Sequence, residues 1–357
     1  MKLFGKELKK NEILKRIGDI SQLGGLKCYE FTDGLSKGVR AVDMKSPCGI
    51  DMTVLPDRGM DISYLSYKSI PISWRSVTKE TSPIYFESRG DEMARTFYGG
   101  LLTTCGLTYM GAPCIDDGEE LGIHGRISNL GAENVCVNGE WENDDYIMWV
   151  EGKVREVKIL GNKLELKRKI TTCMGIPRVI VEDTVENIGY KKSPIMILYH
   201  VNIGYPVLDS TSKLLEAKAK VIPRDEEAKK GLRKISEFSE PIEDFNQQVY
   251  FHYIESDDEG NSNIALVNPD FNNKQGIGIW LKFNKENLPY LIQCKQMGGG
   301  EYFCEIGPAN SFVRGRKIER EKGNLRFIES GEKISYRLEF NILTSNKDIE
   351  EFKSKYC

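Results

Sequence analysis

Residues 146 to 189 read YIMWVEGKVREVKILGNKLELKRKITTCMGIPRVIVEDTVENIG, and apolar and polar residues alternate through most of that stretch. Side chains of a strand point to opposite faces in turn, so this period of two specifies strands with one buried face. The breaks LGN (160–162) and MGIP (174–177) supply turn residues, leaving KLELKRKI and RVIVEDTVEN as separate strands. The same texture returns in GIGIWLKF (276–283), YLIQCKQ (290–296), EYFCEIG (301–307) and KISYRLEFNIL (333–343). Many short strands joined by Gly, Asn and Pro turns predict an all-β chain built as a large antiparallel β-sandwich.

Helical signals are confined to the ends. Apolar positions among residues 2–17 fit one or two helical turns, and DIEEFKSKYC (348–357) reads as a short closing helix. The charged stretch 223–245 fits a short helix or an exposed insertion, and 255–263 a polar turn. No Pro-rich or Ser-rich linker and no fixed repeat divides the chain, so residues 1–357 are expected to form a single domain.

Fifty basic and 53 acidic residues are mixed along the 357-residue chain, which offers no basic face for phosphates and makes nucleic acid an unexpected partner. No apolar run of membrane-spanning length occurs, and the N-terminal residues lack the apolar core of a signal peptide; a cytoplasmic location with no membrane partner is expected. Nine cysteines, scattered and without a C-x-x-C pair, read as reduced and mostly buried thiols rather than a disulfide scaffold or a zinc site. Monomer and homodimer both stay open.

Only three histidines are present. His200 ends a continuous apolar run, SPIMILYH, where a turn begins, a common place for a site residue in a sheet protein. His124 stands between glycines in LGIHGRISN, beside Arg126 and downstream of a Gly-rich, charge-poor stretch, which suggests a close backbone approach in buried surroundings. His252, in QVYFHYIES, reads as an ordinary strand residue. Glu305 is a charged residue in an aromatic strand: it either points outward or faces a cleft, where burial would make it a useful base. Lys295, Arg314 and Arg316 are near enough in sequence to supply it with a partner charge. Asp57 and Arg58, in VLPDRGMDI, fit either a solvated hairpin or bidentate binding of vicinal hydroxyls. Signatures for phosphate, dinucleotide, serine-hydrolase and zinc-protease sites are missing.

FYGGLLTTCGL, GIHGRISN, ILYHVNIGYPVLD and QCKQMGGGEYFCEIGPAN, with PDRGMDI upstream, resemble in order the aldose 1-epimerase (galactose mutarotase) superfamily, in particular a branch of unknown function. The resemblance covers the chain from about residue 40 onward. It implies a supersandwich with a carbohydrate cleft and a cofactor-free, metal-free epimerase. His200 would be the general acid on the ring oxygen, Glu305 the base, and His124 a sugar-binding residue. Arg126, Arg58, Asp57, Asn202 and Lys295 complete the implied substrate-binding set, with Arg58 and Arg126 both eligible as the sugar-binding arginine. One departure stands out: the branch places its glutamate directly before a proline, where this chain has Gly307, two residues beyond Glu305 on the same strand face. Two other readings are open, a carbohydrate-binding protein without turnover and an isomerase or lyase on an acidic sugar.

Overall fold

A computed structural model describes residues 1–357. Three antiparallel sheets carry the architecture. One has eight strands, in the order Ala132–Glu142, Asp145–Val157, Lys163–Cys173, Arg178–Asn187, Lys333–Leu343, Ile277–Asn284, Asn261–Asn268 and Lys213–Glu216. Burial alternates along its strands, Arg178–Asn187 being the clearest case, because only one face is covered. The period-two signal in the sequence is the trace of that one-sided burial.

A central sheet runs Ala219–Pro223, Gln248–Ile254, Tyr290–Gly298, Glu301–Ala309, Ser193–His200 and Arg326–Ile328, with Thr103–Leu107 also paired to Ser193–His200 and Asn202–Ile203 to Glu301–Ala309. Every residue of Ser193–His200 is buried. Both faces of this strand are covered, which is why its sequence is a continuous apolar run and not an alternation. Ile195, Ile197 and Tyr199 enter the main core, while Met196 and Leu198 enter a second apolar cluster with Tyr109, Phe251 and Phe312. A third sheet, Gly25–Glu30 through Ile70–Pro71, adds five strands. The main core of 51 buried residues takes side chains from all three sheets, among them Met52, Val181 and Ile306.

At the meeting of the three sheets a fully buried guanidinium replaces apolar packing. Arg168 Nε and Nη2 donate to the two carboxylate oxygens of Asp183 at 2.9 and 2.6 Å; Nη1 donates to Asp61 at 2.6 Å and to the Gly59 carbonyl, and Nη2 also to Thr104 Oγ1. Tyr199 donates its hydroxyl to Asp183 at 2.8 Å. Burial works against the charge on Arg168, but Asp183 and Asp61 outweigh it and hold the group above its ordinary value.

The ends differ in detail from expectation. The N-terminus opens with a small hairpin, Lys2–Leu3 with Lys6–Glu7, and the helix is limited to Lys10–Leu14. The closing helix spans Asn346–Tyr356 and packs Ile349 and Phe352 inward. Within 223–245 a helix forms at Glu226–Gly231. All nine cysteines are free, but only Cys105, Cys294 and Cys304 are buried, correcting the expectation that most would be. No helix is long and apolar enough to cross a membrane.

Replacing Arg168 with methionine leaves Asp61 and Asp183 buried without their cation. Loss of one partner from a buried ion pair costs about 3–5 kcal/mol, so Arg168→Met should lower stability in urea unfolding by about that much. A loss no larger than that of a surface-pair variant such as Lys167→Ala would count against the tie described here.

Candidate active site

The strand face that carries Met196 and Leu198 also carries His200, and the face that carries Phe303 and Ala309 also carries Glu305. Both candidates thus stand on the side of the central sheet that looks away from the main core. The neighbouring strand Tyr290–Gly298 pairs Cys294 with Glu305 and Gln296 with Phe303, which puts Gln296 on the same face. His200 closes its strand, so the face opens there into a cleft of about 300 Å³. Trp74, Phe97, Phe303, His124, His200, Gln247 and Gln296 line it, with Glu301 at the rim.

His200 lines the cleft, and its Nε2 lies 3.3 Å from Oε2 of the buried Glu305. Burial raises the Glu305 carboxyl well above its ordinary value, a trend that Arg224 opposes. Burial, reinforced by His124, pushes the His200 imidazole down to about 3. Both shifts favour the neutral forms, a carboxylic acid beside a neutral imidazole. The remaining ring nitrogen of His200, Nδ1, and Glu305 Oε1 are buried without partners, as is His124 Nδ1. Buried polar atoms of this kind are costly unless a ligand or water satisfies them, and their grouping around His200 makes the adjoining cleft the candidate binding site.

His124 reaches the cleft by a close backbone approach. Its loop is tied to the strand Thr103–Leu107, with Gly106 N–H donating to the His124 carbonyl and Arg126 N–H to the Gly106 carbonyl. Gly125 has φ +80°, and a Cβ there would lie 2.3 Å from the Gly106 carbonyl oxygen, so only glycine allows the loop to sit against the strand. The His124 ring then stands perpendicular to that of His200 at 5.6 Å between centroids, and Phe97 meets His200 edge-on at 5.1 Å. Burial lowers the His124 imidazole to about 4. His252 lies elsewhere, fully buried, with Nδ1 2.9 Å from Glu216 and Nε2 3.0 Å from Gln293: a satisfied core histidine, as its strand context predicted.

The charged residues expected around the sugar are placed differently. Arg58 is fully buried and donates to the carbonyls of Ser128, Thr81 and Thr96 while stacking on Tyr98, so it anchors the loops that form the cleft wall instead of facing the cleft. Asp57 accepts hydrogen bonds from Arg40 at 2.7 and 2.9 Å. Arg126 is exposed and lines a separate, polar pocket of about 700 Å³ on the other side of the His124 loop. Lys295 falls one residue out of phase with Gln296, so its ammonium reaches the opposite face and donates to the carbonyls of Lys234 and Glu237. Asn202 pairs with Glu305 across the strands, and its amide donates to the carbonyls of His200 and Gly100. Arg316 is taken by Asp116 and Glu119, and Arg314 packs over Phe251 and Phe312, so neither serves Glu305. The sequence reading missed Trp74, Phe97, Phe303, Gln247 and Gln296. Gln296 was legible only through its pairing register, since its facing follows from the Cys294–Glu305 pair.

Known proteins share the family and the fold. The profile of a family described as a domain of unknown function, DUF4432, matches residues 36–342. The chain belongs to the DUF4432 family. No curated protein sequence matches it. Among solved structures this DUF4432 protein is similar to a Klebsiella pneumoniae protein provisionally named an aldose 1-epimerase, with TM-score 0.88 and 20% identity over 98% of this chain and 90% of that one. It is also similar to a galactose mutarotase-like protein from Clostridium acetobutylicum (TM-score 0.63, 14% identity, 90% and 99% coverage). A third is the galactose 1-epimerase of Lactobacillus acidophilus (0.54, 11%, 90% and 99%). At these identities the likeness establishes the galactose mutarotase-like fold.

Because burial raises Glu305, the folded DUF4432 protein keeps a proton there that the unfolded chain releases. A raised carboxyl gives its full contribution to stability below the ordinary glutamate value and loses it as pH rises toward the folded value. Glu305→Gln removes that titration. The variant should gain on wild type as pH rises through this window, by up to about tenfold in the folding equilibrium per pH unit, with no gain at about pH 4. His124 and His200, whose values are lowered, cost both proteins stability as pH falls below the ordinary histidine value. Urea unfolding of both proteins across this pH range checks the expectation, and a pH-independent difference would contradict it.

Proposed function

We propose that this protein is a cofactor-free aldose 1-epimerase acting on a free or neutrally modified aldose. The observation that carries the reading is the 3.3 Å approach of Oε2 of the buried Glu305 to Nε2 of His200, which lines an aromatic-walled cleft. Interconversion of anomers needs a base for the C1 hydroxyl and an acid for the ring oxygen. Both oxygens are bonded to the same carbon, so an acid and a base 3.3 Å apart can serve them together.

For these roles the proton that burial favours on Glu305 passes to His200, giving a carboxylate beside an imidazolium whose mutual attraction offsets the burial that opposes each charge. The carboxylate takes the proton of the C1 hydroxyl as the carbonyl forms and the bond from C1 to the ring oxygen breaks, and the imidazolium protonates that oxygen. The open aldehyde rotates about its C1–C2 bond, and the reverse steps close the ring on the other face. The two proton transfers leave the pair with one proton throughout. Acid and base groups in such roles contribute about 10²–10⁴-fold each. His124 offers a neutral imidazole to a sugar hydroxyl, Gln247 and Gln296 add amides, and Trp74, stacked on Phe303 at 4.3 Å, offers a flat apolar wall to a ring face.

Substrate charge follows from the lining. No arginine or lysine lines the cleft; Arg58, Arg126 and Lys295 are all directed elsewhere, and Glu301 sits at the rim. An acidic sugar would meet no counter-charge there, which weighs against the isomerase or lyase reading.

Anomer exchange followed by saturation-transfer NMR over a panel of neutral and anionic aldoses tests the proposal. Glu305→Gln and His200→Asn should each cut exchange by about 100-fold or more, and His124→Ala should weaken sugar binding as well as turnover. Binding with exchange no faster than buffer for every sugar would replace the enzyme with a carbohydrate-binding protein. Preference for anionic sugars would overturn the neutral substrate.

A further inference from the structure

We propose that Gly307 is a positioning residue for Glu305: its missing side chain leaves the slot into which the Glu305 carboxyl folds to meet His200. The inference rests on the reading of His200 and Glu305 as the acid and base pair. Between the paired residues Leu198–Ala309 and Asn202–Glu305, the strand register sets Gly307 directly across from His200. Residues directly opposite on one face have Cβ atoms about 4.5–5.5 Å apart, and diagonal neighbours about 7–8 Å, a gap that only a long side chain can span. Glu305 is such a diagonal neighbour of His200. It makes contact by leaning along its own strand, over position 307.

The space it uses is the space a side chain at 307 would fill. A Cβ built on Gly307 would lie 2.6 Å from Glu305 Oε1 and 2.6 Å from Leu198 Cδ1, with the Tyr199 carbonyl oxygen at 3.2 Å. The backbone gives no other reason for glycine, since Gly307 is not among the residues with positive φ. Nor does a hydrogen bond orient the carboxyl from its other oxygen, because Oε1 is buried without a partner. The shape of the slot and the contact with His200 are what fix Glu305. A single methyl group is therefore enough to dislodge it.

The two crowded atoms are ends of flexible side chains, so Gly307→Ala is expected to fold, with the carboxyl moved away from His200. The experiment follows the Glu305 side-chain carboxyl by carbon-13 NMR across pH in the full-length chain, assigned with Glu305→Gln, beside anomer exchange. In Gly307→Ala the carboxyl should titrate at lower pH, nearer an exposed glutamate, and kcat should fall by about 100-fold, the scale set by misplacing a reacting group by an ångström, with KM little changed. Leu198→Val alone removes the second crowded atom and should leave the titration as in wild type; combined with Gly307→Ala it should keep the shifted titration. This pair also serves if Gly307→Ala alone does not fold. An unshifted carboxyl in Gly307→Ala, or a wild-type titration in the combined variant, overturns the proposal. If wild type exchanges no sugar, the functional reading fails, and the carboxyl titration by itself still decides the role of Gly307.

Discussion

Each N–H of the Arg168 guanidinium has an acceptor, and those acceptors come from all three sheets: Asp61 and Gly59 beside the five-stranded sheet, Asp183 from the outer sheet, Thr104 from the central one. A charge in an apolar interior is tolerable only when its partners are complete, so the three sheets must keep one relative placement. Tyr199 joins the same network through its hydroxyl, and the next residue in the chain is His200. The network therefore fixes the strand end from which the site is built. A site of this kind needs supports that are themselves held rigidly.

The two faces of the central sheet divide the work. One face feeds the main core, and the other is apolar along most of its length and opens into the cleft at the end of the strand Ser193–His200. The apolar surroundings that stabilise this face also desolvate Glu305 and His200, moving their proton affinities in opposite directions until both favour the neutral form. Burial is thus the cause of both the fold and the poised pair. The buried arginines serve as fasteners: Arg58 secures the loops around the cleft, and Arg316 fixes the hairpin Cys114–Leu121 that leads into the His124 loop.

Particular residues show how far the sequence could be read. The strands Arg178–Asn187 and Lys333–Leu343 match their predicted spans, because one-sided burial leaves a period of two that local pattern alone reveals. His200 and His124 were legible because each marks a local event, a strand end and a glycine-flanked turn. Arg58 and Lys295 were misplaced for a common reason. A charged side chain near a motif has several partners within reach, and which one it takes depends on packing distant in the chain. Ser128, the partner of Arg58, is 70 residues away, and Glu237, the partner of Lys295, is 58.

The sequence by itself determined the strand-rich class, the lack of a broad basic face, and the three residues, His124, His200 and Glu305, able to move or receive a proton in a cleft. Only the tertiary structure decided that His200 and Glu305 approach to 3.3 Å, that the cleft holds no arginine or lysine, and that Gly307 stands across from His200. Alternation along a strand is written in nearest neighbours and survives in the linear chain. Register between strands a hundred residues apart is set by the packing of whole sheets, and no local pattern carries it.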